Sequence, residues 1–283
     1  MRATAESPTA QLDRLAAEVK TSAKYRYVCD DLVRSLGAQE LGKRDYRDAV
    51  KAVKNKLHQV GGAYLDHAPP YATWLMELQA AQANGPEALR AVCSRMMGLH
   101  ASTRERLPIL QPFYADILGA LPPIHSVLDV ACGFNPLAIP WMPLAPQATY
   151  TAIDIYADLM DFLAKAIDLC GPHPVTLARS VLNDFPEMEP CDLALLLKAI
   201  PCLEQVDRTA GARLLDQIQA RYLLISFPVH SLGGRSKGMA SSYESHFSEL
   251  VKGKPWSIRK FVFATELAFL VTKRNQNLPE NCL

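Results

Sequence analysis

A short run of aliphatic and acidic residues, Val127-Leu128-Asp129-Val130, ends in the turn Ala131-Cys132-Gly133-Phe134-Asn135-Pro136, and a second apolar run, 149–153, stops on Asp154. Strands that end this way, one on small residues and the next on a carboxylate, belong at the carboxyl edge of a parallel sheet. Small residues let the backbone approach a ligand closely, and an acid about twenty residues beyond the turn can accept hydrogen bonds from both hydroxyls of a ribose. The turn carries one glycine, where a turn that cradles a pyrophosphate carries a G-x-G-x-x-G series. The pattern therefore favours a nucleoside cofactor without pyrophosphate, S-adenosylmethionine being the simplest, over a nicotinamide dinucleotide. For Asp154 the alternative is a helix N-cap ahead of Ala157.

The periodicity around this feature predicts a Rossmann-like α/β fold. From residue 126 onward, short apolar runs (126–130, 150–153, 175–178, 193–197, 223–227) alternate with helical stretches near Pro140 and over 157–169 and 211–220, the signature of a parallel sheet covered on both faces. Two last runs, 257–263 and 266–272, read as an antiparallel pair closing the sheet. Before it, helical spacing covers 11–22, 29–36, 43–60, 72–83, 87–99 and 104–118, punctuated by Pro69-Pro70, Asn84-Gly85-Pro86 and Pro122-Pro123. We expect a small all-α N-terminal domain over 1–80 and a sheet domain over 81–283, with a polar loop at 231–239.

At 49% hydrophobic content, the 283 residues suffice for one large core with a smaller domain attached. The sequence lacks an uncharged apolar run of about 18 residues and a basic-then-apolar leader, which leads us to expect a cytoplasmic protein with no membrane association. The seven cysteines are scattered and never spaced C-x-x-C, so neither a disulfide framework nor a metal site is expected. A net charge of +1 announces no polyanionic partner, but its distribution is uneven. In 43–58, Tyr46, Val50, Val53 and Leu57 form an apolar stripe, and Arg47, Lys51, Lys54 and His58 repeat the spacing one residue later, about 100° around the helix. That second stripe is either a polyanion-binding face or an ordinary solvated one.

In an open α/β sheet the ligand lies beyond the carboxyl ends of the strands, which brings together Ala131, Gly133, Asp154, Ser180, Val181 and Lys198. Ala131 and Gly133 would admit a methionine moiety, Asp154 would hold the ribose, and Ser180 with the Val181 backbone would line the adenine edge. The segment His100-Ala101-Ser102-Thr103-Arg104-Glu105-Arg106 is unusually polar for a link between apolar helices. Arg106 could clamp a carboxylate through two parallel hydrogen bonds. Ser102 and Glu105 could instead form a capping box.

With these motifs the chain resembles the aminoglycoside-resistance 16S rRNA (guanine(1405)-N7)-methyltransferases. The resemblance rests on Lys56-Leu57-His58 with Gly62-Ala63-Tyr64, on the segment from His100 to Leu107, on Asp129 to Ala138, on Leu197-Lys198 with Pro201-Cys202-Leu203-Glu204, and on Ser226-Phe227-Pro228 with the loop from Ser231 to Met239. It implies a methyltransferase sheet using S-adenosylmethionine, a helical N-terminal domain on 16S rRNA in the 30S subunit, and no metal. Arg106 would hold the cofactor carboxylate and Asp154 its ribose, with Tyr64 an aromatic beside it. His100, Ser102, Thr103 and Gln205 complete the candidate cofactor residues. Arg47, Lys51, Lys54, Arg235, Lys237 and Met239 would face the rRNA, with Lys252 and Lys254 as further phosphate contacts or plain loop residues. Where the family often carries an acid, this chain has Ser180, with Asp184 a substitute. Guanine N7 bears a free lone pair and no proton, so no catalytic base is expected and alignment carries the reaction. A methyltransferase for another RNA site or a small molecule, a nicotinamide oxidoreductase and a non-catalytic ribosome-binding protein are the competing readings.

Overall fold

Seven strands form one sheet in the computed structural model, which describes residues 6–62, 64, 69–182, 185–229 and 238–273. They are β1 (Ile124–Val130), β2 (Leu144–Asp154), β3 (His173–Ala178), β4 (Cys191–Leu197), β5 (Ala220–Pro228), β6 (Trp256–Val262) and β7 (Glu266–Lys273), in the order β3-β2-β1-β4-β5-β7-β6. Strands β1 to β5 run parallel, whereas β7 is antiparallel to β5 and β6 to β7, the closing pair expected. The strand order reverses at β1 and β4, from whose carboxyl ends the chain leaves toward opposite sides of the sheet, which opens a crevice there.

Both faces of the sheet are covered, and side chains alternate between them with the period of two that a strand imposes. Ala194 and Leu196 of β4, with Leu267, Phe269 and Val271 of β7, face one core. Leu193, Leu195, Ala268 and Leu270 face the other. The first core also takes in helices α1 (Pro8–Lys20), α2 (Asp30–Leu41) and α3 (Tyr46–Leu57). The second packs under α4 (Tyr71–Ala83), α5 (Pro86–Met97), α7 (Leu110–Leu118) and α8 (Ala157–Leu169), with the short α6 (Ala101–Arg106) between α5 and α7.

Differences from the sequence expectation follow from local chemistry. The single helix expected over 104–118 is interrupted by a 3-10 turn at Leu107–Ile109, because Pro108 lacks the N–H that would continue the ladder. The helix near Pro140 is likewise a 3-10 segment, Asn135–Trp141, with prolines at both ends of its length. The chain beyond Leu57 widens into a π-helical turn, His58–Gly62. Helices α9 (Ala199–Glu204) and α11 (Met239–Leu250) were not expected, and α10 (Ala210–Gln217) is shorter than the 211–220 stretch. Most of the polar loop, 230–237, lies outside the described residues. No helix among the described residues is long and apolar enough to cross a membrane.

One set of contacts bears on the crevice. The α1–α2 connection donates Cys29 N–H to Ile155 O (2.8 Å) and accepts Ala157 N–H at Tyr27 O (2.8 Å). Asp31, in the first turn of α2, accepts the Ser180 N–H (2.9 Å). The N-terminal helices are thereby tied to the segments that follow β2 and β3.

Candidate functional site

The turn after β1 begins in a conformation side chains disfavour. Ala131 has φ 52° and Gly133 φ 50°, both left-handed, so the chain curls back beneath the crevice. The turn is fixed by Cys132 N–H to Ile153 O (3.0 Å) and by Gly133 N–H to Asp154 Oδ2 (2.9 Å). A Cβ on Gly133 would lie 3.0 Å from two atoms of the His100 ring. Gly133→Ala should therefore lower stability by about 1–2 kcal/mol and push His100 into the crevice. Thermal melting and cofactor titration of the variant check both effects.

Asp154, at the end of β2, receives the Ile155 N–H on Oδ1 (2.7 Å) as well as the Gly133 N–H on Oδ2. Burial raises its pKa, and these backbone donors oppose that rise. The N-cap alternative is not realised: Tyr156 occupies the cap position of α8, without a side-chain cap. Each Asp154 oxygen keeps a lone pair for a further donor.

At the other end of the crevice lies a buried charged network. Arg106, 1% exposed, donates through Nε to both oxygens of Glu266 (3.2 and 3.0 Å), through Nη2 to Oε1 (2.8 Å), and through Nη1 to Asn135 Oδ1 (2.7 Å). The expected side-on clamp is thus already closed on Glu266. Among the described residues, one N–H on each terminal nitrogen is left for another acceptor. Lys198, at φ 59° where β4 ends, donates to Ser102 O (3.0 Å) and Glu105 Oε2 (2.8 Å) and lies 3.5 Å from Glu266. The capping box does not form either: His100 caps α6 without a side-chain bond, and Glu105 serves Lys198. Thr103 Oγ1 donates to Met97 O (2.7 Å) and holds the segment in place.

Two acids of this network escape a sequence reading. Asp129 receives Asn135 Nδ2 (2.8 Å) and the Tyr150 hydroxyl (2.7 Å) on Oδ2, while Oδ1 is buried without a partner among the described residues. Burial pushes its pKa up to about 7, against the pull of those two bonds and of Arg106. Glu266 is fully buried and also accepts the Ser226 hydroxyl. Burial opposes its charge, but Arg106, Lys198 and its hydrogen bonds outweigh that and hold the carboxyl below its ordinary range.

The roof is aromatic. Tyr64 stacks on His100 (centroids 5.6 Å apart, 12° between planes), and His100 meets Phe134 at 5.2 Å. Burial, with Lys198, Arg106 and Arg104, drives the His100 pKa down to about 3, so the ring is neutral. The Tyr64 hydroxyl meets Cys202 Sγ at 2.6 Å.

These residues border a cleft, open to solvent on one side and of about 700 Å³ with its mouth included, whose walls include Tyr64, His100, Ser102, Thr103, Arg106, Asp129, Ala131, Gly133, Asp154 and Lys198. A second recess of about 380 Å³ shares Val60, Ala131 and Asp154 with it and is lined by Ser180, Val181 and Leu182. There Ser180 Oγ accepts the Leu182 N–H (3.2 Å). Asp184 lies outside the described residues. Gln205 lines neither recess: it is the exposed C-cap of α9, whose inward positions are Ala199 and Cys202. The joined recesses suit an elongated ligand with hydroxyls at its middle, a flat apolar head and a zwitterionic tail. S-adenosylmethionine would fit them, with the orphaned Asp129 oxygen available to its ammonium and the remaining Arg106 donors to its carboxylate.

On α3, Ala49, Val50, Val53 and Leu57 are buried, while Arg47 and Lys51 are exposed and Lys54 is half-buried. Arg44 and Lys56 pair with the buried Glu40, whereas among the described residues Arg47, Lys51 and Lys54 form no ion pair. Lys252 pairs with Glu249, and Lys254 pairs with Asp216 and lies over Trp256, which leaves these two engaged locally. Met239 is half-buried at the start of α11, and Arg235 and Lys237 lie outside the described residues. No cluster of potential metal ligands occurs among the described residues.

The family model described as ribosomal RNA methyltransferase (FmrO) matches residues 21–270. A 16S rRNA (guanine(1405)-N(7))-methyltransferase of Micromonospora echinospora is 38% identical over 95% of this chain and 100% of its own length. One from Frankia casuarinae is 40% identical over 93% and 94%. Among solved structures, 16S rRNA methyltransferase RmtF in complex with S-adenosyl-L-homocysteine superposes with a TM-score of 0.73 at 32% identity, covering 96% of this chain and 100% of that one. The 16S rRNA methylase RmtB gives 0.71 at 30% identity over 93% and 98%.

Proposed function

Because this chain belongs to the ribosomal RNA methyltransferase (FmrO) family, we propose that it transfers the methyl group of S-adenosylmethionine to N7 of guanine 1405 of 16S rRNA. Its substrate is the assembled 30S subunit in the cytoplasm, and the product is a ribosome resistant to aminoglycosides. The observation that carries the reading is the joined recess at the sheet's switch point, with Asp154 at its middle and Arg106 and Asp129 at one end. Mass spectrometry of 16S rRNA, after incubation of 30S subunits with protein and cofactor, tests it. Unmodified N7 at that guanine would overturn it, and methyl transfer to a free metabolite or another rRNA position would replace it with a different substrate.

When bound, S-adenosylmethionine supplies an electrophilic methyl on a positively charged sulfur. The chain's own work is to hold and orient. Asp154 would receive the ribose hydroxyls, Arg106 the carboxylate and Asp129 the ammonium, while Ser180 and Val181 would border the adenine. Neutral His100 adds no positive charge that would oppose the sulfonium. N7 has no proton to lose, so catalysis rests on alignment of the nucleophile, and extrusion of the guanine from its stack is offset by rRNA contacts elsewhere. We assign those contacts to Arg47, Lys51 and Lys54, with Arg235, Lys237 and Met239 near the target base, and the division of labour to helices within 1–80 and a methyltransferase part over 81–283.

Two measurements separate these roles. Lys51→Ala combined with Lys54→Ala should leave cofactor affinity unchanged, weaken binding to 30S subunits, and flatten the salt dependence of that binding by about 0.7–0.9 log units for each phosphate the variant no longer neutralises. Asp129 gives a pH signature. Its carboxyl titrates near pH 7 in the free protein, and only the ionised form answers an ammonium, so cofactor affinity should rise with pH through about 7 and level off above it. Calorimetry in buffers of different ionisation enthalpy should detect proton release below pH 7. The sign for stability is opposite: a raised carboxyl favours the folded state on the acid side and loses that contribution as pH rises through about 7. The cofactor's stabilising effect on melting should therefore be larger at alkaline than at acid pH. Asp129→Asn should abolish both trends.

A further inference from the structure

We infer that Glu266 is a positioning residue for cofactor binding, the group that aims Arg106 into the crevice. This rests on the assignment of Arg106 to the cofactor carboxylate. A fully buried arginine with no partner would turn its guanidinium toward whatever acceptor lay nearest, because an unpaired buried charge is costly. Glu266 removes that freedom. It takes the Nε–H and one Nη2–H along one edge of the guanidinium plane, while Asn135 takes one Nη1–H at 2.7 Å. What remains is one N–H on each terminal nitrogen, at a side chain that forms part of the crevice wall.

Glu266 is itself held on several sides: the Ser226 hydroxyl donates to Oε1, Lys198 Nζ lies 3.5 Å from Oε2, and pairing of Pro228 with Glu266 anchors its backbone in the sheet. Asn135 extends the same logic, because its amide donates to Asp129 while its oxygen accepts from Arg106 and from the Tyr114 hydroxyl (2.6 Å). The groups offered to the two charges of an amino-acid tail, Arg106 and Asp129, are thus fixed relative to each other through Asn135 and braced from behind by Glu266.

A merely structural Glu266 and an orienting one differ in which ligands feel its loss. The test measures dissociation constants of S-adenosylhomocysteine, which carries the amino-acid tail, and of 5′-methylthioadenosine, which lacks it, for wild type, Glu266→Gln and Arg106→Lys. Glutamine keeps the size of the side chain but neither its charge nor its two acceptors. Glu266→Gln should weaken S-adenosylhomocysteine by about tenfold or more, the scale of one charge-assisted hydrogen bond, and leave 5′-methylthioadenosine within about twofold. Equal weakening of both ligands, or of neither, overturns the inference. If Glu266→Gln does not fold, Glu266→Asp takes its place: it keeps the charge but withdraws it by one methylene, and the same selective loss is expected. Arg106→Lys separates the two levels. A variant that binds S-adenosylhomocysteine as well as wild type refutes the carboxylate assignment itself. Selective loss there with none in Glu266→Gln refutes only the positioning role.

Discussion

Asp154→Ala is expected to eliminate measurable cofactor binding and, with it, methylation of 30S subunits. The carboxylate does two things at once. It joins the turn after β1 to the end of β2 by accepting the Gly133 and Ile155 N–H groups, and in the proposed site its remaining lone pairs would receive the ribose hydroxyls. Loss of the ribose bonds alone, at about 1.5–3 kcal/mol per hydrogen bond to a charged group, lowers affinity by roughly 100-fold or more, and release of the Gly133 turn adds to it. Isothermal titration with S-adenosylhomocysteine checks the effect. Asp154→Asn should be intermediate, because its amide oxygen can serve one backbone donor while its NH2 faces the other. Unchanged affinity in the alanine variant would remove Asp154 from the site. An alanine variant with normal rRNA binding but no cofactor binding would show that the defect is local.

Arg106→Met should be the most destabilising single change in the site. It strands Glu266 at zero exposure, with Lys198 at 3.5 Å as the remaining cation. Breaking a buried pair from one side costs about 3–5 kcal/mol, which corresponds to a fall in melting temperature on the order of 10 °C for a protein of this size. The double change Arg106→Met with Glu266→Leu should regain much of that stability, because two apolar side chains in place of a buried pair leave no orphaned charge. It should not regain cofactor affinity. Melting curves of the two variants, read beside cofactor titrations, separate the folding role of the pair from its binding role. If the double variant melts lower than the single one, the pair is not the source of the loss.

The crevice is legible where sequence pattern and function coincide. The apolar runs that end at Ala131 and Asp154 are strands because their side chains must be buried on both faces, and the residues just past them must then meet at one edge. Helix α8 begins and ends where its apolar spacing does, at Ala157 and Leu169. The stripe of Val50, Val53 and Leu57 is buried as its spacing requires. The misses have equally local causes. Pro108 is plain in the sequence, but the apolar spacing on either side of it outweighs it. Gln205 is misplaced by a reading that lacks α9, because without the helix there is no phase to show which side chains point inward. Helix α11 carries Met239, Tyr243, Phe247 and Leu250 at helical spacing, yet Phe247 is its one fully buried residue, so the stripe is faint. Asp129 and Glu266 are out of reach for a different reason. An acid inside a strand reads as an outward-facing position, and what reveals it as buried is a tertiary partner: Asp129 is met by Asn135 and Tyr150 across the turn and the neighbouring strand, and Glu266 finds Arg106 across 160 residues.

That separation sets the order in which the protein can become competent during its own synthesis. The first half of the chain brings Arg106 off the ribosome well before β7 exists, and until residue 266 emerges the guanidinium lacks its ion-pair partner Glu266 and the sheet ends on an open edge at β5. The Asp31 carboxylate waits in the same way for Ser180, 149 residues later. A nascent chain stalled short of the last hairpin should therefore be blind to the cofactor even with β1, β2 and Asp154 complete, and the enzyme's first turnover must follow release of its C-terminal strands from the exit tunnel.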